Sequence, residues 1–588
     1  MGRRTPWHET ERNRHHNQRP GVRPWQDGLQ VACFAGGCSC VSGASRMPRG
    51  PRLRGAVQAA SLILFLWLLF TARQKPGADL PSFSGLFFWI DPLILVATFL
   101  AAHAVPVLLL SAIATILVTL VAGRVFCGWI CPFGALHSAI GWVCDRIWPK
   151  SRKREHWSGW QRAKYYVLAG FIAMALLGGH WVTIFDPIVL LYRSTTAAVL
   201  PGLQWTVEES STALFQWDLK LGPLKPSAVT EPCRKFLREH LFAVDGQAFI
   251  GSELILVVFV GLLAANAFRR RWWCRYACPT GALLGLLSIR PLLRRALVES
   301  KCTKCDLCSA NCQGNAADGD GSGWRPSECF VCLNCASACR RNSLAFGWKW
   351  PWHREPVVTA IGLSRRAMII SAVGGVCTLW FFRSSPLASS KRLGYQARGL
   401  VFEPSLIRPP GARAEREFIQ RCTACGVCIK VCPTGGLQPC VLEAGLEGLW
   451  TPRLVPQLGH CAYDCNLCGQ VCPTQAITPL KLEEKKKFKL GLAAFDTTHC
   501  IPHAYGRDCM VCEECCPVPE KAIYFIETRI VTRTGEQRTV KLPHVDADLC
   551  IGCGVCENVC PLRGNPGIRV TNANESRNPA NQPILTER

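Results

Sequence analysis

Residues 302–312 read CTKCDLCSANC, and residues 329–339 repeat the same cysteine spacing as CFVCLNCASAC. Three closely spaced thiolates cap one face of a [4Fe–4S] cubane, and the fourth cysteine of such a run ligates the other cluster of a pair. The spacing therefore predicts two clusters. The first is assigned Cys302, Cys305, Cys308 and Cys339, and the second Cys329, Cys332, Cys335 and Cys312.

Four further cysteine runs lie towards the C-terminus, and each ends in Cys-Pro. They are Cys422, Cys425, Cys428, Cys432; Cys461, Cys465, Cys468, Cys472; Cys500, Cys509, Cys512, Cys516; and Cys550, Cys553, Cys556, Cys560. Longer spacers open the second and third runs and fit loops that bulge between ligands. Cys516 is preferred over Cys515 because it precedes Pro517 and keeps the spacing. Two pairings stay open: the first run pairs with the second, or it pairs with the fourth and encloses the middle two.

Zinc is the alternative occupant, because structural zinc sites also use Cys-x2-Cys pairs. Such sites usually combine two separated pairs, whereas this chain has six runs of four among its 36 cysteines. The prediction is six [4Fe–4S] clusters. Six clusters in one chain favour a path for electrons over a purely structural role, since a fold needs no such number of cofactors.

The composition indicates a protein partly dissolved in lipid, with 49% hydrophobic and only 18% charged residues. Four apolar stretches are long enough for membrane-spanning helices, namely 54–72, 104–123, 165–182 and 252–268. A fifth stretch, 86–101, contains Asp91 and Pro92 and is interpreted as re-entrant or interfacial. The predicted fold is an α-helical polytopic membrane protein with a four-helix core and one further signal-anchor helix, joined to α+β bacterial ferredoxin-like 4Fe–4S domains.

Basic residues flank the apolar stretches, so the formal net charge of +26 follows the positive-inside rule. Six clusters, each carrying roughly −2 with its four thiolates, would bring the chain to about +14. Nucleic acid is therefore not an expected partner. The loops 146–164 and 269–275 are predicted to be cytoplasmic, and 183–250 to lie outside.

The expected domains are a disordered basic cytoplasmic tail at 1–52, a membrane domain at 53–290, a cytoplasmic two-cluster domain at 291–350, a signal anchor at 360–385, a periplasmic four-cluster domain at 390–575 and a tail at 576–588. Translation that starts at Met47 would leave out most of the first tail. Arg365 and Arg366 precede an apolar stretch and indicate a twin-arginine export signal. An ordinary fifth span is the alternative, and it also leads to an external C-terminal domain.

The membrane domain contains an internal repeat. WIDPLIL at 89–95 and FCGWICPFGAL at 126–136 correspond to IFDPIVL at 184–190 and WCRYACPTGAL at 273–283. Parallel repeats would bring both Cys-x3-Cys-Pro segments together at the cytoplasmic face. Cys127, Cys131, Cys274 and Cys278 are therefore candidate redox-active thiols or ligands of a shared extra metal site. His103 and His180 are candidates for binding quinol or haem, and a structural role is equally open.

With these motifs, residues 53–345 resemble the NapH family of polytopic quinol dehydrogenase subunits, and residues 360–570 are similar to the exported NapG/MauM ferredoxin-type proteins. The chain thus looks like a natural fusion of the two. The resemblance implies a bacterial inner-membrane protein, with ferredoxin domains on both sides, that passes electrons from the quinol pool to a periplasmic cytochrome or a molybdenum or copper redox enzyme. The alternative is a redox maturation factor for a periplasmic metalloenzyme. Gln313 and Arg340 depart from the family pattern, which has proline there.

Overall fold

The computed structural model describes residues 49–72, 83, 85–147, 157–216, 232, 234–238, 248–317, 323–348, 361–384, 405–531, 537–562, 564–578 and 581. Residues 1–48 of the predicted tail, including Met47, lie outside the described residues. The described part is mostly helical. Its α-helices are α1 Arg49–Thr71, α2 Leu86–Trp89, α3 Pro92–Ala102, α4 Ala112–Ala122, α5 Pro132–Ile147, α6 Ala163–Leu176, α7 Pro187–Ser194, α8 Leu200–Gln216, α9 Ser252–Ala264, α10 Trp272–Tyr276, α11 Pro279–Leu287, α12 Leu307–Ala310, α13 Asn334–Ala338, α14 Arg365–Ser384, α15 Glu415–Arg421, α16 Val427–Lys430, α17 Leu467–Gln470, α18 Leu482–Lys487, α19 Ile501–Tyr505, α20 Val511–Glu514 and α21 Val555–Asn558.

Four antiparallel strand pairs accompany these helices. In the first cysteine unit, residues 291–348, β1 Leu293–Leu297 pairs with β2 Leu344–Trp348, so the two ends of the unit close on each other. The second cysteine unit, residues 405–578, holds the other three pairs. They are β3 Leu437–Pro439 with β4 Pro452–Leu454, β5 Leu492–Phe495 with β8 Ile568–Thr571, and β6 Ile523–Val531 with β7 Gln537–Val545.

Within the described residues, two helices are long and apolar enough to cross a membrane, one within α1 and the other within α14. The remaining predicted spans form shorter apolar helices in the described residues. The stretch 104–123 gives a helix of residues 107–122, 165–182 gives α6, and 252–268 gives a helix of residues 252–267. The helix of residues 107–122 begins after Pro106 and ends at Gly123, whose φ is +81°. α1 also begins at Arg49, inside the region expected to be tail.

Four helices begin at a proline that directly follows an aspartate or a cysteine: α3 after Asp91, α5 after Cys131, α7 after Asp186 and α11 after Cys278. Proline suits the first helical position because its φ is already helical and its missing N–H would have no partner there. The preceding side chains accept the first backbone N–H groups. Asp91 accepts from Leu93, and Cys278 accepts from Gly281.

The helices outside the two cysteine units, α1 to α11 and α14, are called the helical part. It lies between the two cysteine units. α6 begins beside the first unit, where Lys164 bonds to Glu328, and beyond its end Gly178 lies against Gln420 of the second unit. α14 runs alongside α6 in the same direction and contacts it closely at Gly170 and Gly375. Small residues at such a contact let two helix backbones approach each other.

Candidate iron–sulfur sites

Four cavities in the second cysteine unit are each lined by four cysteines. Each cavity combines three cysteines of one run with the last cysteine of another run. The first site has Cys422, Cys425, Cys428 and Cys472; the second has Cys461, Cys465, Cys468 and Cys432; the third has Cys500, Cys509, Cys512 and Cys560; and the fourth has Cys550, Cys553, Cys556 and Cys516. In this geometry the first run exchanges its last cysteine with the second, and the third run with the fourth.

Cys515 and Cys516 have different surroundings although they are neighbours in the sequence. Cys516 lines the fourth site, whereas Cys515 is exposed and lines none of these cavities. The short helix α20 ends just before this pair and fixes which of the two side chains turns inward. The structure thus places Cys516, and not Cys515, beside Cys550, Cys553 and Cys556.

The first cysteine unit contains a fifth cavity of the same kind, lined by Cys329, Cys332, Cys335 and Cys312. The five cavities are similar in size, each with about 340 to 420 Å³ of space that is partly open to solvent. Among the described residues, no three side chains of His, Cys, Asp or Glu are close enough together to hold a single metal ion. In each cavity the four thiols surround a common space, as the ligands of a [4Fe–4S] cluster do.

The remaining predicted set, Cys302, Cys305, Cys308 and Cys339, lies near the surface of the first unit. Cys305 is exposed and the other three are half-buried. The Sγ atom of Cys339 accepts a hydrogen bond from the backbone N–H of Ser343 at 3.3 Å. Bonds of this kind stabilise a thiolate, the form that ligates a cluster.

Gln313, which replaces the usual proline after Cys312, makes a specific contact. Arg54 of α1 donates a hydrogen bond from Nη1 to Oε1 of Gln313 at 2.7 Å. The nearby Gln58 donates to the carbonyl oxygen of Gly128 at 2.7 Å. Gln313, where the family pattern has proline, therefore joins the first cysteine unit to α1.

The four cysteines of the repeat are brought together, all buried in one hydrophobic core. Cys278 is within electrostatic range of Cys127, Cys131 and Cys274. The first cysteine unit covers this group closely, because a Cβ atom on Gly128 would lie 2.1 Å from the carbonyl oxygen of Phe330. We call Cys127, Cys131, Cys274 and Cys278 the buried quartet.

The proline-initiated helices point their N-termini towards the buried quartet. The hydroxyl of Thr280 donates to Oδ2 of Asp186 at 2.6 Å, the Asp91 and Asp186 side chains interact, and Asp186 is within electrostatic range of Cys131. Helix N-termini carry partial positive charge and stabilise anions. At two of these N-termini the sulfur atoms of Cys131 and Cys278 accept hydrogen bonds from the backbone N–H groups of Gly134 and Gly281.

Charged residues around the buried quartet were missed as site residues in the sequence. Arg124 and Arg271 both lie against the ring of Phe330, with guanidinium carbons 4.8 and 4.9 Å from its centroid. Glu328 accepts hydrogen bonds from Lys164 and Tyr165 and lies 3.6 Å from Arg124. In the sequence these basic residues look like the positively charged flanks of apolar segments. Only their burial in the structure identifies them as part of the site.

His180 and His103 differ in their environments. His180 is buried, its Nδ1 lies 3.2 Å from the carbonyl oxygen of Cys422, and its Nε2 lies 3.5 Å from the hydroxyl of Thr98. His103 ends α3 in the left-handed conformation, with φ at 51°. The contacts of His180 link the helical part to the first site and match a structural histidine.

Comparison with known proteins identifies related cysteine-rich sequences. A family described as a 4Fe–4S binding domain matches residues 104–151 and 253–297, which contain the buried quartet, and another of the same description matches residues 542–566. No solved structure matches the chain.

Among curated proteins, the ferredoxin-type protein NapG of Escherichia coli is 37% identical over 179 residues, which are 30% of this chain and 75% of NapG. The methylamine utilization ferredoxin-type protein MauM of Paracoccus denitrificans is 33% identical over 28% of this chain and 70% of its own length. The MauM protein of Methylorubrum extorquens is 29% identical over 38% of this chain and 97% of its own length.

Proposed function

Because the chain belongs to the family of ferredoxin-type proteins that includes NapG and MauM, we propose that it takes electrons from quinol at a membrane and passes them to a redox partner in the periplasm. The observation that carries the proposal is the contact of both cysteine units with one helical part, with the buried quartet directly beneath the first unit. A single protein thus offers candidate redox sites at both ends of α6 and α14.

The cofactors are proposed to be six [4Fe–4S] clusters, held by the four sites of the second unit and the two four-cysteine sets of the first. Each bound cluster supplies reversible one-electron transfer, and oxidation of a quinol to a quinone releases two electrons and two protons. The protein's own residues hold the thiolates in place and surround them with apolar side chains. Lys485, for example, is buried and donates to the carbonyl oxygens of Ala462 and Tyr463, which fixes the bulge that opens the second run.

The buried quartet is proposed to act as one redox group, either as thiols or as ligands of an additional metal site. Its position between the apolar helices and the first cysteine unit supports this role, as does the match of both Cys-x3-Cys-Pro segments to a 4Fe–4S binding family. The surrounding helix N-termini and the guanidinium groups of Arg124 and Arg271 would stabilise negative charge there.

The inner bacterial membrane is the proposed location, with the first cysteine unit in the cytoplasm and the second in the periplasm. The apolar helices in α1 and α14 support membrane association. Arg365 and Arg366 begin α14, in agreement with a twin-arginine signal that stays as an anchor. A fusion with a NapH-like membrane domain is part of this proposal.

The test is reduction of the purified full chain by duroquinol under anaerobic conditions, followed by electron paramagnetic resonance. The expected result is about 24 Fe per chain and the appearance of reduced-cluster signals on addition of quinol. Replacing Cys127 and Cys274 by serine should abolish reduction by quinol and leave the six clusters loaded. A loaded wild-type chain that duroquinol does not reduce would refute the proposal and favour a role in metalloenzyme maturation.

A further inference from the structure

The four sites of the second cysteine unit follow one another in space in an order that differs from the sequence. Cys428 of the first site is within electrostatic range of Cys468 of the second site. The backbone N–H of Cys461 donates to the carbonyl oxygen of Cys553 at 2.8 Å, which joins the second site to the fourth. Cys556 of the fourth site is within electrostatic range of Cys512 of the third. The spatial order is therefore first, second, fourth, third.

The first site is the end that faces the helical part. Arg193 donates from Nη1 to the carbonyl oxygen of Ala424 at 3.3 Å, and its guanidinium lies 4.1 Å from the ring centroid of Trp450. His180 contacts the carbonyl oxygen of Cys422. The loop that carries three cysteines of the first site is thus held against α7 and His180.

The third site is at the opposite end, and its surface is open. In the stretch around Cys509, Tyr505 and Met510 are 67% and 39% exposed, and the charged Arg507 and Asp508 are also exposed. In the neighbouring fourth site, Cys550, Cys553 and Cys556 are each only 8% exposed. We call Tyr505, Asp508 and Met510 the distal rim.

We propose that the distal rim is the docking surface for an external one-electron redox protein, which accepts electrons at the third site. The inference rests on the proposed function and adds to it the order of the sites and the point of exit. Electron transfer becomes slower steeply with distance, so the partner's cofactor must approach the terminal site of the series. The distal rim has two exposed apolar side chains beside the charged Asp508, Arg507 and Arg538, and the Asp508 carboxylate lies 3.7 Å from Arg538. Such a small mixed surface suits a transient encounter, whereas a stable dimer of this chain would need a larger apolar area.

The experiment uses the full chain in lipid nanodiscs, reduced with dithionite so that quinol plays no part. Excess dithionite, which would reduce cytochrome c directly, is removed by anaerobic gel filtration before oxidised mono-haem cytochrome c is added. Met510→Glu should lower the second-order rate of cytochrome reduction by about tenfold, since interface changes alter encounter and complex lifetime. Leu458→Glu is the matched control, because Leu458 is 50% exposed and lies next to the second site instead. Iron content and the reduced-cluster spectrum should be unchanged in both variants.

A second readout is independent of rate. A photo-crosslinking residue in place of Tyr505 should attach cytochrome c in the full chain, and the same residue in place of Leu458 should not. The inference is overturned if wild-type protein does not reduce cytochrome c, if Met510→Glu reduces it as fast as wild type, or if both positions crosslink equally. A failure of duroquinol to reduce the chain would count against the proposed function and leave these dithionite results to decide the docking surface.

Discussion

Individual cysteines in the second cysteine unit differ in whether their side chains face one of its four candidate cluster sites. The pair Cys515 and Cys516 has one member exposed and one beside the fourth site. The two thiols are chemically identical, so their roles depend on the turn of the chain after α20. Cys440 is also buried, yet its Sγ lies 3.7 Å from Nη1 of Arg408 and outside the four sites.

Replacing Cys516 by serine should remove the fourth ligand of one cluster, and the purified chain should lose up to about four Fe. Cys515→Ser is the matched control and should keep the full iron content. Iron and sulfide analysis with electron paramagnetic resonance checks both variants. Equal iron loss in the two variants would contradict the assignment of Cys516.

Glu415 is the centre of an ion pair network in the second cysteine unit. Its carboxylate lies 2.5 Å from Arg408, whose side chain is fully buried, and 2.6 Å from Arg577. Burial alone would raise the pKa of Glu415, but the positive charges of Arg408 and Arg577 lower it to about 2. The folded pKa is thus below the unfolded one, so this contribution to stability is complete above the unfolded pKa and is lost as pH falls towards 2.

Glu415→Gln should lower the free energy of unfolding at pH 7 by about 1–3 kcal/mol, because buried Arg408 loses its counter-charge while solvent at the partly exposed carboxylate limits the effect. The difference from wild type should shrink as pH falls below about 4.5, where the unfolded glutamate becomes protonated. Thermal unfolding of both proteins, followed by circular dichroism at several pH values, measures this difference in stability. Glu417→Gln removes two ion pairs, with Arg413 and Arg421, whose arginines are more exposed than Arg408 and Arg577, and should change stability by less than about 0.5 kcal/mol. An equal effect of both substitutions would contradict the role of the network.

At the scale of elements, helices that begin at proline shape the helical part. α3, α5, α7 and α11 have only 8 to 16 residues, and their N-caps meet around the buried quartet. A helix that begins inside the protein leaves backbone N–H groups to be satisfied there. The side chains of Asp91, Cys131, Asp186 and Cys278 do this and at the same time form the walls of the centre.

The contact between α6 and α14 depends on glycine. A Cβ atom on Gly375 would lie 2.2 Å from the carbonyl oxygen of Gly170, whereas one on Gly374 would meet nothing within 4 Å. These two neighbours on α14 therefore form a natural matched pair for testing how the anchor helix packs.

Gly375→Leu should separate α14 from α6 and lower the stability of the detergent-solubilised chain by about 1–3 kcal/mol, the usual cost of overpacking. Gly374→Leu should change it little, because its side chain would point away from the contact. Thermal unfolding of both variants in the same detergent measures the difference. A similar loss in the two would show that the glycine contact does not hold the helices together.

At the scale of the whole molecule, the two cysteine units are attached to opposite ends of the same helices. Arg383 near the end of α14 pairs with Glu447 of the second unit at 2.8 Å, while Lys164 near the start of α6 pairs with Glu328 of the first. If α6 and α14 lie in a bilayer, the two units must be on different sides of it.

This arrangement predicts opposite protease accessibility of the two units. A cleavage sequence inserted between Val531 and Gln537 should be cut by protease added to spheroplasts, and one inserted between Ala317 and Gly323 should be cut only in inverted membrane vesicles. Cleavage at both positions from the same side would contradict the two-sided topology, whichever side it is.

The sequence by itself determined the cysteine grouping, the 4Fe–4S family and the repeat that contains the buried quartet. These features are local, because ligand spacing and proline-initiated helices are encoded within a dozen residues. The pairing of runs, by contrast, depends on which of two distant loops supplies the fourth thiol, and the tertiary structure alone joins Cys472 to the first site and Cys560 to the third. The tertiary structure also shows that three apolar stretches expected to span the membrane form shorter helices. It further shows that Arg124, Lys164 and Glu328 are buried together. Sequence pattern cannot give such contacts, since they form only when segments far apart in the chain exclude water between them.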